Sequence, residues 1–174
     1  MRRGYRPFWR SGRRSLKVSS ICGTRTGEGN FQINHMRSKA TKIIDAMMEK
    51  DHFSQWLGVV RLEEREGYCK LQMVVRPEMC NGFGIAHGGI TYSLADSALA
   101  FASNSQGKHA LSIETSISHI QPLQAEDGIV AIAEEKSFGN KIAIYEVRVI
   151  REEDDELVAL FKGTVSRKSN DWEV

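Results

Sequence analysis

Three cysteines, Cys22, Cys69 and Cys80, are all that the 174 residues carry. An odd trio cannot close a full disulfide set, and these lack metal-site spacing. A reducing compartment is expected, here the cytoplasm, with no metal and no cofactor. No apolar run approaches the ~18 residues of a membrane span, so a transmembrane helix is not expected. P-loop, HExxH and GxSxG motifs are missing as well. The stretch GFGIAH falls short of a dinucleotide fingerprint. The third glycine of GxGxxG would stand at His87, and antiparallel-looking strands follow where βαβ units should.

What remains is ordinary globular material, 41% apolar and 26% charged, at about the length of one domain. Its net charge of +2 hides a split. Residues 1–35 hold eight Lys/Arg and one acid, Glu28, for a charge of +7, whereas 36–174 hold 16 basic and 21 acidic residues, for −5. The first stretch shows no periodicity and too little apolar surface to offset its ordering entropy. It reads as an organellar transit peptide, as a nucleic-acid arm with basic and aromatic residues interleaved, or as a leader outside the working protein, with translation opening at Met36. The last reading is preferred, which makes 36–174 the functional domain and leaves no nucleic-acid or membrane partner.

From Met36 onward the order is helix, two strands, helix, four strands. Ile43, Ile44, Met47 and Met48 mark an amphipathic helix near 37–50, and Phe53, Trp56 and Leu57 a short turn after it. Strands are expected at 57–65 and 68–76, then at 109–120, 128–137, 141–151 and 157–167. In the first of the later four, Leu111, Ile113, Thr115 and Ile117 alternate with Ser112, Glu114, Ser116 and Ser118. A run of strands beside segregated helices is α+β, with antiparallel pairing through short links.

The second helix, from Gly88 to about Asn104, is apolar or small on every side, so it is a buried helix wrapped by a curved antiparallel sheet. Asp96 stands inside it. A buried carboxylate is costly unless paired, so Asp96 is either catalytic or matched by an arginine or a loop across an interface. Gly88 and Gly89 open the helix and serve either close approach to its free N–H groups or a tight turn at positive φ. Gly88 and Asp96 lie ~12 Å apart along the axis at ~1.5 Å per residue. Both cannot reach one reacting centre from the same helix. Two antiparallel helices across a twofold axis can do so, which predicts a dimer if both residues act. His35, His52, His109 and His119 lack ligand spacing and read as structural or exposed.

The stretch NGFGIAHGGITYSLADSALAFASNSQG resembles the signature of the hot-dog-fold acyl-CoA thioesterases, in particular the phenylacetate-degradation (PaaI-like) branch. Asn81, the His87-Gly88-Gly89 turn and Asp96 stand at the family's spacings, and the resemblance runs over about 38–168. It implies a hot-dog fold, one central helix in a curved antiparallel sheet of five to six strands. It also implies homodimers that usually pair again into tetramers.

The implied reaction is hydrolysis of acyl-CoA, with phenylacetyl or hydroxylated aryl-acyl groups the suggested substrates. The Gly88 N–H would polarise the thioester carbonyl. Asp96 of the partner subunit would act as general base or nucleophile, Asn81 would position water or carbonyl, and His87 would order the turn. Gly89, Ser112 and Lys141 would contact substrate, Ser112 assisting the aspartate and Lys141 lying near the CoA phosphates. Phe83, Tyr92 and Phe101 are candidates for an aromatic pocket. Two alternatives stay open: a non-catalytic acyl-CoA sensor on the same fold, and a hot-dog hydratase or dehydratase, whose His and acid are arranged differently.

Overall fold

The computed structural model describes residues 37–174, so the basic leader expected at 1–35 lies outside the described residues. Ser38 caps the first helix, α1 (Lys39–Lys50), its Oγ accepting from the Thr41 N–H at 3.0 Å. The helix buries Ala40, Ile43 and Ile44. The turn expected around Phe53 and Trp56 is a short helix, α2 (His52–Leu57). Asp51 Oδ1 caps it through the Ser54 N–H at 2.9 Å, and Gly58 ends it at φ +77°.

Strands β1 (Val60–Arg65) and β2 (Tyr68–Val74) follow, and then the long helix α3 (Gly88–Asn104). After it come β3 (Lys108–His119), β4 (Gly128–Phe138), β5 (Ile142–Arg151) and β6 (Leu157–Asp171). All pairings are antiparallel, in the order β1-β2-β4-β5-β6-β3. This is the α+β hot-dog architecture, six strands curved around one helix. The four later strands are not a simple meander, because β3 crosses to the far edge and pairs with β6. The core lies between α3 and the sheet, where Leu94, Ala98, Leu99 and Phe101 meet Leu71, Met73, Val147 and Phe161. Gly163 on β6 lets the helix approach: a Cβ there would overlap the Leu99 Cδ2 methyl.

The clean alternation expected along β3 does not survive. The pairing register slips between Ser112 and Glu114, which leaves Ile113 as an extra residue. Ahead of the bulge, Ala110 and Ser112 face α3; beyond it, Thr115, Ile117 and His119 do. Leu111 and Ile113, read from the sequence as one face with Thr115 and Ile117, are 61% and 58% exposed.

Candidate active site

The loop before α3 is clipped in place by its own backbone. Cys80 and Ala86 form an isolated bridge, the Asn81 N–H donates to Ile85 O at 2.8 Å, and Gly84 turns at φ +77°. Asn81 Oδ1 accepts from the Phe83 N–H at 2.9 Å. His87 is the N-cap of α3, its Nδ1 accepting from the Gly89 N–H at 2.9 Å. The amide of Gly89, a candidate substrate contact, is therefore already engaged.

The Gly88 N–H has no acceptor among the described residues. It is an open donor at the positive end of a 17-residue helix. Neither Gly88 nor Gly89 has positive φ, so the tight-turn alternative fails and close approach is the reason for glycine. That approach is made by a residue the sequence reading set aside. A Cβ on Gly88 would stand 3.0 Å from His119 Nε2 and 3.3 Å from its Cε1. The Thr91 hydroxyl lies 3.0 Å from Gly88 O, to which it donates, and is hydrogen-bonded to His119 Nδ1 at 3.2 Å, which turns Nε2 toward Gly88. Asn81, Gly88, Thr91 and His119 share a hollow of about 320 Å³. No spacing rule finds His119. The signal was the glycine itself, which required some neighbour to occupy its missing side chain.

Asp96 is half-buried two turns further along and opens elsewhere, into a hollow of about 100 Å³ with Leu99, Ala100, Ala110, Ser112 and Val165. Burial pushes its carboxyl above the usual carboxylate range. No arginine offsets this among the described residues, which removes the ion-pair alternative within one protomer. Ser112 thus stands with Asp96, whereas Asn81, His87 and Gly88 cluster at the helix start. Lys141 joins neither hollow: it is exposed in the β4–β5 turn, its carbonyl accepting from the Arg167 N–H at 2.8 Å. The aromatic candidates do not assemble. Phe83 is 91% exposed, Phe101 is in the core, and the Tyr92 hydroxyl is bonded to Thr115.

The arrangement offers a backbone N–H unengaged among the described residues in one place and a carboxylate destabilised by burial in another. Hydrolytic chemistry needs both at one centre.

Comparison with known proteins gives a consistent picture. A family model described as the thioesterase superfamily matches residues 83–158. A putative esterase of Archaeoglobus fulgidus is 43% identical over 131 residues, 75% of this chain and 84% of that protein. The acyl-coenzyme A thioesterase PaaI of Escherichia coli is 34% identical over 132 residues, 76% of this chain and 94% of that protein. The structure of the E. coli PaaI protein from the phenylacetic acid degradation operon superposes with a TM-score of 0.74 at 33% identity, covering 76% and 96% of the two chains.

Proposed function

The chain belongs to the thioesterase superfamily, and on that premise we propose that it hydrolyses acyl-CoA thioesters to the free acid and CoA, with aryl-acyl groups such as phenylacetyl as substrates. It acts as an acyl-CoA thioesterase, in keeping with its relatives. The observation that carries the reading is the Gly88 N–H at the start of α3, unengaged among the described residues, with Asn81 lining the same hollow.

The thioester oxygen would accept from Gly88, and the helix terminus would favour its developing negative charge. Asp96 of the partner subunit would take the proton of an attacking water. The C–S bond then breaks, and the departing thiolate recovers that proton as CoA-SH. In the nucleophilic variant the carboxylate attacks first and expels the CoA thiolate, and water then opens the mixed anhydride at the aspartyl carbonyl. A single turnover in 18O-water separates the two: label enters the acid product directly in the first case and the protein in the second.

The outer edge of β3, unpaired among the described residues and with Leu111 and Ile113 exposed, supports a twofold pairing of this strand with a second copy. A pairing centred near Thr115 and Ser116 would set Ser112 and Asp96 of one protomer beside the Gly88 hollow of the other. A further pairing into a tetramer and a cytoplasmic location complete the proposal. The free thiols of Cys69 and Cys80 support the location. Thiol release from phenylacetyl-CoA by the purified protein tests the activity. Turnover that Asp96→Asn abolishes is the expected result, and equal turnover by that variant overturns the mechanism.

A further inference from the structure

His119 has no part in the reaction as described so far, yet it lines the same hollow as Asn81 and Gly88. It is the last residue of β3, and the bulge at Ile113 brings it to the α3 side of the strand together with Ser112. The ring approaches Gly88 by its Nε2 corner: a Cβ on Gly88 would stand 3.0 Å from Nε2, 3.3 Å from Cε1 and 3.6 Å from Cδ2. The other nitrogen is anchored, Nδ1 being hydrogen-bonded at 3.2 Å to the hydroxyl of the buried Thr91.

Thr91 has one proton to give. Its second partner, Gly88 O at 3.0 Å, is a carbonyl and can only accept. The hydroxyl therefore meets the imidazole with a lone pair, which favours the tautomer that carries its proton on Nδ1 and leaves Nε2 an acceptor. Asn81 Oδ1, another acceptor on this wall, already takes the Phe83 N–H. His119 is exposed in the protomer, so water reaches Nε2.

A water that attacks a carbonyl carbon must point a lone pair at it, so both of its protons need acceptors. The carboxylate supplies one. Ser112 and His119 lie three positions to either side of Thr115 and Ser116, the centre given above for the twofold pairing of β3. That pairing would bring His119 of one protomer to Ser112 of the partner subunit, which shares its hollow with Asp96.

We propose that His119 is a catalytic residue of this centre: its Nε2 accepts a hydrogen bond from the attacking water, whose other proton goes to Asp96 of the partner subunit, and Thr91 is the positioning residue that sets the ring. The proposal rests on the thioesterase reading in its general-base form. The water oxygen bonds to the carbonyl carbon as Asp96 takes one proton. The second proton stays on that oxygen, held by Nε2, until the C–S bond breaks and the thiolate recovers the first from Asp96. His119 gains and loses no proton.

The test measures kcat and KM for acetyl-CoA and phenylacetyl-CoA in the full-length protein and in His119→Phe, His119→Gln and Thr91→Val. His119→Phe is expected to lower kcat about tenfold on both substrates, the worth of one hydrogen bond made in the transition state, and to leave KM unmoved. His119→Gln returns an acceptor near the place of Nε2 and should recover part of the loss. Thr91→Val should lower kcat in the wild-type background and add nothing beside His119→Phe. Refolded together in equal amounts, His119→Phe and Asp96→Asn should give about a quarter of wild-type activity, whereas His119→Phe with Gly88→Ala should recover nothing, because both damage the same half of a centre. An unchanged kcat in His119→Phe, or a loss confined to KM, overturns the proposal and leaves the thioesterase reading standing. Recovery with Gly88→Ala in place of Asp96→Asn overturns it too. A Thr91→Val loss that persists beside His119→Phe overturns the positioning role. Should His119→Phe fail to fold, His119→Ala takes its place with the same expectations. An unmodified protein that turns over neither substrate refutes the thioesterase reading itself, and the water site falls with it.

Discussion

His119 Nε2 stands 3.0 Å from where a Cβ at position 88 would be, a tight contact for any side chain placed there. Gly88→Ala should therefore crowd the helix start and block the carbonyl from the amide, lowering kcat by about 10²–10³-fold, the usual cost of a lost oxyanion donor. Adding His119→Ala should restore the thermal midpoint but not the rate, because the new Cβ still stands in the hollow. Thiol release and thermal unfolding of the two variants check both statements.

Asp96 is held above the usual carboxylate range by its burial within the protomer. The folded protein therefore binds this proton more tightly than the unfolded chain. Stability contributed by the protonated form is full below the ordinary value of 3.8 and is lost as pH rises from there through the raised folded value. Asp96→Asn should thus be the more stable protein at pH 7 and lose its advantage below pH 3.8, as denaturant titrations across that window would show. Its activity should fall ~10²–10⁴-fold, the usual worth of a general base. The acid limb of wild-type kcat/KM should lie above 3.8 for the same reason.

Complementation tests the shared site. Gly88→Ala and Asp96→Asn homodimers each lack one half of every centre. Mixed after denaturation and refolded together in equal amounts, half the dimers should be hybrid, each with one intact centre, giving about a quarter of wild-type activity. Activity no greater than the sum of the parents would place the chemistry within one protomer.

Gly163→Ala addresses packing alone. The added methyl overlaps Leu99 on the buried face of α3, and overpacking of this kind costs about 1–3 kcal/mol. Combined with Leu99→Ala, itself costly because Leu99 is buried, it should give a double variant that loses less than the sum of the two single losses, measurable in the denaturation midpoints.

The fold was largely legible because its helices and strands announce themselves by period. The all-apolar helix from Gly88 could only be a buried one, and Gly88 and Asp96 stood out in it as residues costly to place there. The sequence hid features that depend on phase or on distant partners. The short helix α2 came from a side-chain cap by Asp51, a local hydrogen bond with no periodic trace. His119 became part of the Gly88 hollow only through the path of β3 to the far edge of the sheet, and Trp172 reached Asn104 from 68 positions away.

The bulge at Ile113 turns β3 from a question of composition into one of parity. Ser112 and His119 are an odd number of positions apart, so an unbroken pleat would turn them to opposite sides. One supernumerary residue restores the match, and any side chain standing there does so equally well. Deletion of position 113 should be graver than exchange there, since losing it would rotate either Ser112 or His119 away from α3, whereas an exchange alters only the exposed face offered to a second copy. In this strand, insertions and deletions, rather than exchanges, should mark the boundary between working and failed copies.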